Sequence, residues 1–187
     1  MAKIMKITAL CTTLITFVCV VFYICMESGP VLSLAISFGT TAYHFVMRLL
    51  VGVVFDRLLH NHVNYRLRWF QVSAAEQKLY KKLRVKQWKG KMATYDPGCF
   101  DSTLHSWDEI AQAMCQAELV HEVIMILSFI PLLAAIPFGD LWVFVITSVL
   151  AACYDAMFVM MQRYNRPRVM KLMETSEKAN LKRNCPQ

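Results

Sequence analysis

ITALCTTLITFVCVVFYICM, residues 7–26, runs for twenty residues without a charged side chain. An α-helix of about 20 residues, rising ~1.5 Å per residue, crosses the hydrocarbon core of a bilayer. The run exceeds the ~7–15-residue apolar core of a secretory signal, although Lys3 and Lys6 before it and Ser28 and Gly29 after it resemble signal flanks. Three more stretches have spanning length, at about 30–55, 118–137 and 141–162. The chain has 187 residues, 57% of them hydrophobic and 18% charged, with a mean hydropathy of +0.40. A soluble domain is nearer ~45–50% apolar, so much of this surface must meet lipid. The predicted fold is all-α, an integral membrane bundle of four transmembrane helices in one domain.

The cations set the orientation. Lys3 and Lys6 precede the first span, Arg48 lies in the second, ten Lys and Arg fall between Arg57 and Lys91, and seven follow from Arg163 onward. The short loops Glu27 to Gly29 and Pro137-Phe138-Gly139-Asp140 hold none. The positive-inside rule therefore puts both termini, the loop 56–117 and the tail 163–187 on the cytoplasmic side of the plasma membrane. The net charge of +7 suits anionic lipid headgroups. No nucleic-acid motif accompanies it, so nucleic acid is not an expected partner. The cysteines, at positions 11, 19, 25, 99, 115, 153 and 185, form no CxxC and indicate neither a disulfide framework nor a structural zinc site.

Within the loop, Ser73 followed by Glu76 fits a capping box. Leu79, Tyr80, Leu83 and Trp88 then recur at helical spacing among Lys78, Lys81, Lys82, Arg84, Lys86, Lys89 and Lys91. This predicts an amphipathic helix lying in the cytoplasmic interface, either as an anchor or as a cationic surface for an anionic acyl carrier such as coenzyme A. Tyr95-Asp96-Pro97-Gly98 reads as a turn, and Ser106 or Trp107-Asp108-Glu109 can open the helix of the third span.

Ionisable groups are costly in hydrocarbon and mark function there. Glu118, His121 and Glu122 sit at helical spacings in the third span, so His121 and Glu118 can share a face as a general base and its orienter, with no metal or other cofactor required. Asp155 in the fourth span needs a partner. Tyr43, His44, Met47 and Arg48 fall on one face of the second span, and Arg48 is a candidate to pair with Asp155 or a glutamate. Glu118-x-x-His121 alone lacks the second pair and extra carboxylates of a di-iron bundle.

Gln162-Arg163-Tyr164-Asn165-Arg166-Pro167-Arg168 closes the fourth span, with three guanidiniums and a tyrosine suited to a phosphate patch or a lipid anchor, and Pro167 disfavouring helix at Arg166. This run follows AELVH at residues 117–121 and a K-x-W-K element at Lys86 to Lys89. In that order and spacing, over Leu79 to Met173, the chain resembles the glycosyl-4,4'-diaponeurosporenoate acyltransferases, small membrane enzymes. The resemblance implies transfer of a fatty acyl group to a sugar hydroxyl of a membrane lipid. It further implies a site containing Glu118, His121, Gln162, Arg163, Asn165 and Arg166. For that reaction the donor is acyl-CoA or an acyl carrier protein, bound with help from Lys86, Trp88 and Lys89. Asn165 and Arg163 or Arg166 are the candidate oxyanion donors. A non-catalytic membrane scaffold with the same topology would use the ionisable groups only as interhelical glue.

Overall fold

The computed structural model describes residues 2–92, 94–139 and 141–184. Among them there is no strand, and four helical segments are long and apolar enough to cross a membrane. The expected all-α multi-pass architecture is therefore present. The long helices are α1 (Ala2–Met26), α2 (Gly29–Leu59), α5 (Trp107–Leu127) and α7 (Leu141–Asn184), with short helices α3 (Ala74–Lys82), α4 (Val85–Trp88) and α6 (Ala135–Phe138). Asp140 and Cys185 lie outside the described residues. The chain divides into two compact units, Met1–Val54 with Val123–Tyr154, and Phe55–Glu122 with Asp155–Gln187.

The first unit is built for lipid. On α1, Ile7, Leu10, Leu14, Phe17 and Phe22 are exposed, whereas only Ala9 and Thr12 are buried. Small residues let the helices approach: Thr16 Cγ2 lies 3.4 Å from where a Gly39 Cβ would stand. Thr12, Thr13 and Thr16 return their hydroxyls to carbonyls four residues back, each at 2.7 Å, which satisfies these three donors within the helix. After α5 the backbone tightens into a 3₁₀ turn, Ile130–Ala134, containing Pro131. Irregular backbone at membrane depth must be satisfied by protein. Here the Tyr43 hydroxyl donates to the Leu127 carbonyl at 2.8 Å and Ser128 to that of Ile124 at 2.9 Å.

The second unit has a core of its own, with Val63, Tyr65, Phe70, Ala111 and Cys115 buried and Met170 and Met173 packed on them. Its helix starts follow the expected chemistry. Ser73 and Glu76 form the full capping box, and the Asp96 side chain accepts from Gly98 N–H at 3.0 Å. Ser106 and Glu109 bond reciprocally at the start of α5.

Two expectations about this unit need correction. The predicted amphipathic helix is not continuous: α3 stops at Lys82 and Arg84 adopts the left-handed conformation, φ 50° and ψ 39°. Val85, with 0% exposure, and the Trp88 indole, donating to the Leu83 carbonyl at 3.0 Å, fix that bend. Tyr80 is consequently buried while Leu79 and Leu83 are exposed. Nor does Pro167 end the helix, since α7 runs through it. Proline removes one bond, to the carbonyl four residues earlier. Burial of Arg166 and the packing of Met170 and Met173 hold the helix on both sides of that gap.

Candidate functional site

The second unit brings most of the singled-out residues together, but not in the expected pairs. His121 Nδ1 lies 2.9 Å from Asp155 Oδ1, and the imidazole stacks on the Phe158 ring at 4.4 Å between centroids, 4° from parallel. Asp155, not Glu118, is therefore the carboxylate that orients this histidine. Asp155 is 1% exposed and the His121 side chain 23% exposed. A carboxylate on Nδ1 favours the tautomer with hydrogen there, leaving Nε2 as an acceptor.

Glu118, 0% exposed, belongs to a different arrangement. Its two oxygens meet Arg163 Nη1 at 2.5 Å and Arg166 Nη1 at 2.6 Å. Arg163 also donates from Nε to Glu76 Oε1 at 2.8 Å and to the carbonyls of Trp69 and Gln71 at 2.9 and 3.1 Å. Two guanidiniums and two carboxylates thus form a set of zero net charge, with Glu118 and Arg166 buried and Arg163 and Glu76 at its half-buried rim. Arg166, itself 1% exposed, adds Cys115 Sγ at 3.0 Å and lies 5.2 Å from the Phe70 ring centroid. Burial pushes the Glu76 carboxyl upward, yet the Arg163 guanidinium and the Ser73 N–H together hold it below its ordinary value. A buried carboxylate takes the strongest donors within reach, and two guanidiniums outcompete an imidazole one helical turn away.

The remaining residues fall around these groups. Glu122 accepts from the Trp69 indole at 2.9 Å, and Gln162 is buried. Lys89 Nζ donates to Asn165 Oδ1. In the first unit, His44 packs edge-on to Tyr43 and Arg48 donates to the His44 carbonyl at 3.1 Å. Sequence reasoning missed Phe158, Cys115 and the second duty of Glu76. Phe158 and Cys115 sit three residues from Asp155 and Glu118 on the same helices, a spacing that also fits ordinary packing.

Four helices long and apolar enough to cross a bilayer mark a multi-pass membrane protein, and its second unit holds a histidine–carboxylate pair and a charge-balanced arginine cluster. The model of the glycosyl-4,4'-diaponeurosporenoate acyltransferase family matches residues 66–175, and the chain belongs to that family. Searches of curated proteins and of solved structures found no match. The matched span covers His121, Asp155, Glu118, Arg163 and Arg166, and it begins after the first two long helices.

Proposed function

We propose that the chain transfers a fatty acyl group from a thioester donor, acyl-CoA or an acyl carrier protein, to a hydroxyl of a glycosylated membrane lipid. The observation that carries this reading is the His121–Asp155 pair. An acceptor hydroxyl is a poor nucleophile until a positioned base takes its proton as it attacks. Nε2 of His121 receives that proton while the hydroxyl oxygen bonds to the thioester carbon. Asp155 holds the ring and stabilises the imidazolium, and Phe158 keeps its plane. The tetrahedral intermediate then collapses, the C–S bond breaks and the imidazolium returns its proton to the departing thiolate. With Arg163 and Arg166 committed to Glu118, the oxyanion donor we favour is the Asn165 side-chain N–H. The loop 56–117 and both termini face the cytoplasm, where the donor arrives, and the acceptor enters from the leaflet.

The neutral set around Glu118 favours a second reading, a scaffold whose ionisable groups serve only packing. Lipid mass spectrometry separates the two. Cells expressing the chain should contain acyl esters that are absent without it and absent with His121→Ala at equal protein level. Identical lipid profiles in all three would leave the scaffold.

A further inference from the structure

Of the three guanidiniums in the run from Gln162 to Arg168, two are consumed by Glu118, and Arg168 is left over. Its guanidinium carbon lies 4.8 Å from the Tyr164 ring centroid and its Nη2 donates to the Tyr164 hydroxyl at 2.9 Å. Lys89 Nζ lies 5.0 Å from the same centroid and also bonds Asn165. Lys86 stands three residues before Lys89, one helical turn back. Among the described residues no carboxylate comes within ion-pair distance of these three cations. The acids of this unit's site are spent elsewhere: Glu76 and Glu118 on arginines, Glu122 on Trp69, Asp155 on His121.

We propose that Lys89 and Arg168, both set against Tyr164, form with the neighbouring Lys86 a binding site for a phosphate group. This rests on the acyl-transfer reading above and deepens it, because the occupant is the phosphate of the donor's carrier. Burial, and then the charges of Arg168 and Lys86, push the Lys89 ammonium below its ordinary value. Three neighbouring cations repel one another, and a multiply charged anion turns that repulsion into attraction. The guanidinium fork of Arg168 presents paired donors to phosphate oxygens, while its contact with Tyr164 fixes its plane.

Phosphate can come from the donor's carrier or from an anionic lipid headgroup, and two titrations tell them apart. In the first, free coenzyme A is added to the full chain in nanodiscs of neutral phosphatidylcholine. In the second, the fraction of phosphatidylglycerol retained around the chain is measured in mixed nanodiscs. We expect coenzyme A to bind, to bind more weakly as salt rises, and to lose roughly tenfold or more in affinity in Arg168→Gln and in Lys89→Gln, the scale of one hydrogen bond between charged groups. Arg168 is exposed, so Arg168→Gln should melt with the parent, and Arg168→Lys should recover part of the affinity. Phosphatidylglycerol retention that falls in Arg168→Gln, without any coenzyme A binding, keeps the phosphate site and overturns the donor as its occupant. If neither titration responds to either substitution, the site does not exist. Acyl transfer that continues with coenzyme A affinity indifferent to these cations defeats the site alone. Affinity that depends on them, with no acyl ester in any lipid profile, defeats the enzymatic reading alone.

Discussion

His121 and Asp155 act as one unit if the proposed chemistry holds, and kinetics can show it. His121→Ala should lower kcat by ~10²–10⁴, the usual worth of a general base. Asp155→Asn should do most of the same damage, and the double variant should be scarcely worse than the poorer single one. Losses that multiply would mean two independent roles. Glu118 should behave differently. Glu118→Gln leaves Arg166 buried without its counter-charge and should cost about 3–5 kcal/mol of stability, and Glu118→Gln with Arg166→Met should regain most of it. Thermal melts in one detergent read both. The sequence singled out His121, Glu118 and Asp155, but it exposed only the spacing along one helix. Glu118 and His121 are neighbours by that spacing, yet which helix faces each of them decides the partner. The guanidiniums of α7 took one and the carboxylate of Asp155 the other.

At the scale of the elements, legibility followed the range of the interactions. The capping box at Ser73 needs only residues three apart and was readable, whereas at Ser106 to Glu109 only a helix start was readable and the reciprocal bonding was not. The break at Arg84 depends on Val85 reaching a buried position and on Trp88 turning back to Leu83, contacts that helical periodicity cannot report. The left-handed backbone of Arg84 supplies a direct test, because that conformation costs a side-chain-bearing residue about 1–2 kcal/mol that glycine avoids. Arg84→Gly should therefore raise the melting temperature slightly, by the equivalent of up to about 1 kcal/mol, and Arg84→Val should lower it. A fall with glycine would mean that the loop in solution does not make this bend. The same range dependence explains the correction at Pro167: the local preference is against helix at Arg166, and the packing of α7 on either side overrides it.

For the molecule as a whole, the four spans were plain from composition, because twenty uncharged residues have few other fates. Orientation rests on the distribution of cations and is open to measurement. Single cysteines introduced at Lys78 and at Lys171, in a background lacking the native ones, should react with an impermeant maleimide only after the cytoplasmic side is opened. Labelling from outside at either would invert the arrangement. The length of α7 carries one more consequence. Its 44 residues extend roughly 66 Å at ~1.5 Å each, about twice what a bilayer's hydrocarbon core needs. Hydrocarbon is ~30 Å thick on average, and thickness mismatch is absorbed by tilt at fractions of a kcal/mol per Å. A helix of this length can serve as a ruler: thicker membranes would draw the arginine-rich segment toward the acyl chains, and thinner ones would push it out into water. Turnover in nanodiscs of graded acyl-chain length should accordingly pass through a maximum, giving the protein a preferred membrane thickness.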